Sequence, residues 1–155
     1  MISPELLRKY PFFGSLDDSQ LRELAMLAEE ETYKSGEVIF QEGGPADALY
    51  FLLDGYVDLY FTLADKKSSL QEKGIPVGDI NPGEPFSISA LIEPHVLTAT
   101  ASSAIPSRVL KFDTKRLQAL YEQDPKLAYA LTYQAGKAAI ERLHASRIQL
   151  AAAWA

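Results

Sequence analysis

Residues 36–61, GEVIFQEGGPADALYFLLDGYVDLYF, decide the fold class. Val38, Ile39 and Phe40 read as a short strand, punctuated by Gly43, Gly44 and Pro45. Ala48 to Leu53 is a dense apolar strand, and Asp54-Gly55 after it is the strongest hairpin signal in the chain. Beyond it Val57, Leu59, Phe61 and Leu63 alternate with Tyr56, Asp58, Tyr60 and Thr62, the pattern of a half-buried strand. The polar run 64–76 reads as a mobile connection. Short strands follow around Val77–Ile80, Pro85–Phe86, Thr98–Ser102 and Arg108–Phe112. No long helix separates them, so the sheet is mostly antiparallel, a jelly roll or barrel.

Helices flank this β region. Ser3 and Pro4 suit a helix start, and Pro11 ends that run within two turns. Asp17 and Gln20 stand in capping-box relation ahead of the apolar stripe Leu21, Leu24, Leu27 and Ala28. Glu29, Glu30 and Glu31 are expected to end this helix on a solvated face. Near the other terminus, Asp124 is a good N-cap and Pro125 a good first helical residue, and 30 residues then pass without another proline. Leu127, Leu131, Ala135 and Ala138 are expected to pack on the chain's own body. On a neighbouring face, Tyr129, Tyr133, Gly136, Ile140, Leu143, Arg147, Leu150 and Trp154 step alternately by four and three, a heptad-like seam that predicts a homodimer. A lone Trp154 at the end of a free helix fits a dimer seam or a protein partner.

The divisions expected are 1–34 for the N-terminal helices, 35–113 for the β region and 114–155 for the C-terminal helices. With 155 residues the chain makes one domain, large enough to bury roughly 70% of its unfolded surface. Zero cysteines exclude disulfides, thiolate zinc sites, cysteine-ligated clusters and a cysteine nucleophile. Fifteen Lys and Arg against 21 Asp and Glu give −6, which argues against a general electrostatic hold on nucleic acid. No apolar run approaches the ~20 residues that span a bilayer, so a cytoplasmic protein without membrane contact is expected. His95 and His144 are the only histidines, and no triad order, metal spacing or phosphate loop accompanies them. A non-enzyme with no metal and no cofactor follows. His95 could serve as the axial ligand of a haem sensor, but the negative charge and the lack of a second obvious ligand argue against it.

The ordered set Gly36-Glu37, Phe40, Glu42-Gly43, Asp47, Leu49-Tyr50 and Gly55 resembles the cyclic-nucleotide-binding domain family, which includes the catabolite activator protein and the protein kinase A regulatory subunits. The resemblance resumes from Val77 to about Leu131. It implies a mainly β fold with flanking α: an eight-stranded jelly-roll β-barrel (a β-roll), N-terminal helices and a long C-terminal helix. In the family, a cassette of Phe-Gly-Glu, a short helix, and an Arg followed by a small residue and Ala holds the ligand. The Arg and the helix N-terminus take the cyclic phosphate, and the Glu takes the ribose hydroxyl.

Here the cassette spans 83–99. Phe86 keeps the Phe, Ser87 stands for Gly, Ile88 takes the Glu position, and Ser89, Ala90 and Leu91 continue the helix. Leu97 takes the Arg position, with Thr98 and Ala99 after it. Both polar anchors are thus aliphatic. Losing one partner of a buried charge pair costs about 2–5 kcal/mol, and losing the ribose acceptor about 1–3 kcal/mol more. A micromolar sensor then falls to millimolar or weaker unless another cation reaches the phosphate. His95 and Arg108 are the nearest candidates in sequence, and Glu84 and Glu93 make a phosphate less welcome.

The expected function is a stand-alone regulatory or sensor module that does not bind cyclic AMP or cyclic GMP in the usual way. It would act through protein–protein contacts or an unidentified small ligand. A genuine nucleotide sensor with a non-standard pocket is one alternative. A truncated transcription regulator lacking its helix-turn-helix is another, and no DNA binding is expected of residues 1–155.

Overall fold

Glu29, Glu30 and Glu31 are not the end of a helix; they are a strand. A computed structural model describes residues 2–62 and 74–155 and places Ala28–Tyr33 as β1, paired antiparallel with β8 (Ser107–Asp113). The acids find bases across the ladder: Glu30 meets Arg108 at 3.0 Å and Glu31 meets Lys111 at 3.2 Å. This corrects the expectation that residues 1–34 are helical. The helical part ends at Leu27, and the β-roll begins one residue later.

Before β1 lie α1 (Pro4–Arg8), a 3-10 turn at Pro11–Phe13 and α2 (Asp18–Leu27). The capping box forms: Gln20 N–H donates to Asp17 Oδ1 at 2.8 Å, and Asp17 N–H donates to Gln20 Oε1 at 2.9 Å. The roll continues with β2 (Val38–Phe40), β3 (Ala48–Asp54), β4 (Val57–Phe61), β5 (Ile75–Ile80), β6 (Pro85–Phe86) and β7 (Thr100–Ser103). Of the connection expected at 64–76, residues 64–73 lie outside the described residues, as does Leu63, while Ile75 and Pro76 belong to β5.

The described strands form two four-stranded sheets, ordered β1-β8-β3-β6 and β2-β7-β4-β5, with every pairing antiparallel. β3 and β4 fall in different sheets, so Asp54-Gly55 is a corner between sheets rather than a hairpin. A two-residue Asp-Gly step reverses the chain in either setting. What selects the corner is Gly55, at φ +108°, pressed against β8: a Cβ there would sit 2.6 Å from the Ser107 Cα.

β3 explains its own apolar density. The side chains of Ala48, Tyr50 and Leu52 pack inside the roll with Val57, Ile80, Phe86 and Val109. Those of Leu49, Phe51 and Leu53 point the other way, into a core shared with the helices, because successive strand residues alternate faces. Phe51 is the hub of that second core, with its ring centroid 4.9 Å from those of both Tyr10 and Phe13.

After β8 come α3 (Thr114–Gln123) and α4 (Pro125–Ala153). Asp124 caps α4 by accepting from Leu127 N–H at 3.1 Å, and it also accepts from Gln20 Nε2, tying the starts of α2 and α4 together. Leu127, Leu131 and Ala135 are the buried residues of α4. From Gly136 onward its residues are exposed, except Ala138 and Arg142, which are partly buried.

Candidate functional site

The cassette starts on a backbone register. Phe86, opposite Tyr50 in the β3–β6 ladder, is fully buried and stacks on the Tyr50 ring at 5.2 Å. Ser87 then turns into the left-handed region at φ +59°, a conformation glycine adopts freely and serine adopts at a cost. Its hydroxyl donates to the Ala48 carbonyl at 2.8 Å, which holds the step in place. Ser87, where the family resemblance expects glycine, thus takes a bend that glycine adopts freely.

Ile88–Leu91 form a single 3-10 turn. The chain reverses through Glu93-Pro94-His95 and returns at Leu97, whose N–H donates to Gly44 O at 2.9 Å while its carbonyl accepts from Gly43 N–H at 2.8 Å. This pair of backbone bonds fixes Leu97, only 6% exposed, opposite the Gly43-Gly44 turn.

Between the cassette, strands β2 and β4, and α4 lies a cavity of about 510 Å³, within the range of roughly 300–1,000 Å³ typical of small-molecule sites. Of the nine cassette residues at 86–91 and 97–99, which the resemblance makes ligand-binding, Ser87, Ile88, Ser89, Leu97, Thr98 and Ala99 line this cavity. Phe86, Ala90 and Leu91 do not: Phe86 belongs to the roll interior, and Ala90 and Leu91 pack into the helix-side core. The size and apolar character of these three serve the scaffold on which the cavity stands. Ile88 and Leu97, at the two anchor positions, both face the cavity as hydrocarbon.

Several wall residues were not anticipated. Phe40 and Leu59 come from β2 and β4, and Ala139 and Arg142 from α4. Arg142 could have been found: the body-facing stripe 127, 131, 135, 138 has its next step at 142. Its guanidinium donates through Nη2 to the Pro85 carbonyl, and its buried Nε–H has no partner among the described residues. Burial pulls the guanidinium below its ordinary value, opposed by the nearby carboxylates of Glu84 and Glu141.

The two bases singled out in the sequence are elsewhere. Arg108 lies on β8, paired with Glu30. His95 contacts the Ala90 carbonyl through Nδ1 at 3.0 Å and Gln118 Nε2 through Nε2 at 3.3 Å. Both ring nitrogens are therefore engaged with protein, the Nδ1 proton going to the carbonyl, so neither is offered to a metal. No group of three or more metal-ligating side chains occurs among the described residues. No helix among them is long and apolar enough to cross a membrane.

Two antiparallel sheets rolled around Phe86, a cassette turn after β6 and a long helix along one side of the cavity define a β-roll. Residues 30–124 match the cyclic nucleotide-binding domain family model, and the chain belongs to that family. A solved structure of a protein assigned as cyclic nucleotide-binding, from Geobacter metallireducens, is 37% identical, with a TM-score of 0.81 over 93% of this chain and 100% of that one. Two curated relatives are more distant. A protein assigned as a potassium channel from Rhodopseudomonas palustris is 24% identical over 83% of this chain. A CRP-like cAMP-activated global transcriptional regulator from Mycobacterium tuberculosis is 21% identical over 82% of it. The matches span 29% of the channel protein's length and 54% of the regulator's.

Proposed function

We propose that this chain is a non-catalytic, cytoplasmic regulatory module of the family that does not hold cyclic AMP or cyclic GMP in the usual way. It works instead through protein contacts or a different small ligand. The observation that carries this reading is the pair of aliphatic side chains, Ile88 and Leu97, in the cavity wall at the positions where the family places carboxylate and guanidinium. Without them, the phosphate loses its paired cation and the ribose its acceptor. Titration calorimetry with cyclic AMP and cyclic GMP tests it. No binding is expected at micromolar levels, and a dissociation constant below roughly 10 μM overturns the reading.

The rival, a nucleotide sensor with a non-standard anchor, draws on Arg142 at the cavity wall. It predicts micromolar affinity that disappears in an Arg142 variant.

The module is further proposed to be a homodimer through α4. In one chain alone, Tyr133, Ile140, Leu143 and Leu150 are each at least half exposed, and Trp154 is 85% exposed. Their four-three spacing suits the same face of a second copy. Arg147 within the seam is the kind of polar residue that fixes register at some cost in stability.

A further inference from the structure

Arg142 faces a cavity whose remaining wall is mostly carbon. Phe40, Leu59, Ile92, Val96 and Ala139 contribute apolar surface on its several sides. Besides Arg142, the polar side chains of the wall are Ser89, Thr98, Glu93 and Ser87, whose hydroxyl is already committed to Ala48. Against this wall stands a guanidinium with one protein acceptor, the Pro85 carbonyl, and an Nε–H left unmet among the described residues. A neutral carbonyl is a weak partner for a buried cation that carries five N–H donors; a carboxylate forms shorter, charge-assisted bonds, often two at once. Glu93 in the same wall and Glu84 nearby make a second negative charge on a ligand unwelcome.

We propose that Arg142 is the anion receptor of this cavity and that its ligand is an amphipathic monocarboxylate, a carbon chain or ring ending in a single carboxylate. The inference rests on the proposed loss of the usual nucleotide grip. A cyclic nucleotide also brings a ribose and a base whose polar atoms need partners, and Phe40, Leu59, Ile88, Leu97 and Ala139 offer them none. A carbon body with one charged end leaves nothing unpaired.

The test uses the full chain and four probes: octanoate, 4-phenylbutyrate and the neutral amide of each, measured by calorimetry and thermal shift. At least one carboxylate is expected to bind wild type about tenfold or more tightly than its amide, the order of a charge-assisted hydrogen bond. Arg142→Gln is expected to erase that preference. Circular dichroism of ligand-free Arg142→Gln checks its fold, and if it does not fold, the carboxylate-to-amide ratio on wild type decides alone. Equal binding of carboxylate and amide, retention of the preference in Arg142→Gln, or no binding of either carboxylate below about 1 mM overturns the proposal. Cyclic AMP titrated in parallel separates the two levels. Micromolar cyclic AMP binding sinks the reading underneath, whereas silence from both cyclic AMP and the carboxylates sinks only this inference.

Discussion

Gly55→Ala tests the corner between the two sheets. The perturbation is one methyl group, and the structure says where it lands: 2.2 Å from Ser107 Oγ, 2.6 Å from Ser107 Cα and 2.7 Å from Ser107 Cβ. A side chain could swing away, but the Cα belongs to β8, which is locked between β1 and β3. Three costs combine. The left-handed φ of +108° strains alanine by about 1–2 kcal/mol, and the overlap forces a backbone shift worth about 1–3 kcal/mol. Displacing the Ser107 hydroxyl, which accepts from Tyr56 N–H at 3.2 Å and donates to the Ile105 carbonyl at 2.8 Å, costs about 1 kcal/mol more. The total is about 3–6 kcal/mol, a large part of the 5–15 kcal/mol that holds a typical domain together. Gly36→Ala is the matched control. Gly36 has φ +86° with nothing within 4 Å of its would-be Cβ, so only the strain of about 1–2 kcal/mol applies. Urea unfolding followed by circular dichroism compares the two at constant m-value. A Gly55→Ala loss within 1 kcal/mol of the Gly36→Ala loss, roughly the resolution of the extrapolation, would refute the close packing at the corner. A chain that fails to fold is the expected result at larger magnitude.

Other expectations follow from the site and the helices. The double change Ile88→Glu with Leu97→Arg restores both anchors, and a gain of cyclic nucleotide binding by calorimetry is expected if only those groups were lost; no gain means the cavity's shape has diverged too. Light scattering is expected to report a dimer for the full chain and a monomer for a version ending at Gly136, and a monomeric full chain removes the seam. Phe51→Ala, at the hub of the aromatic core, is expected to cost about 3–5 kcal/mol in urea unfolding; a loss under 1 kcal/mol contradicts its central placement. The Asp124 carboxylate is held below its ordinary value, chiefly by Leu127 N–H and then by the Gln20 amide. Its contribution is therefore complete above the usual carboxylate value and fades as pH falls through the depressed one. Asp124→Asn, which still caps, is expected to remove that share of the acid sensitivity in thermal melts at pH 2–5; an unchanged pH profile excludes the linkage.

The sequence made some elements plain and hid others for definite reasons. The capping box at Asp17 and Gln20 and the start of α4 at Asp124-Pro125 are local signals, complete within four residues, and both appear as written. The glutamates at 29–31 misled because nothing nearby explains three acids in a strand; their partners, Arg108 and Lys111, lie near the far end of the roll. Asp54-Gly55 specified a reversal but not which sheet each arm would join. At the cavity, Ile88 and Leu97 were readable because the cassette is contiguous. Arg142 arrives from α4, and only extending the helix's buried stripe past Ala138 would have brought it into view. Phe86, Ala90 and Leu91 stand behind the cavity wall; proximity in sequence to a cavity does not distinguish its wall from the packing behind it.

The order of strands constrains how the chain can acquire its shape. β3 and β4 are neighbours in sequence yet never pair, and β3 finds its principal partner only in β8, which also carries β1. One sheet therefore lacks its central strand until residue 113 has been synthesised, and no early hairpin can stand in for it. Loop closure over such distances is slow, and the waiting edges are sticky. On the ribosome, β1 and β3 must wait unjoined until the last strand emerges between them, even though every strand of the other sheet has already been made by residue 103.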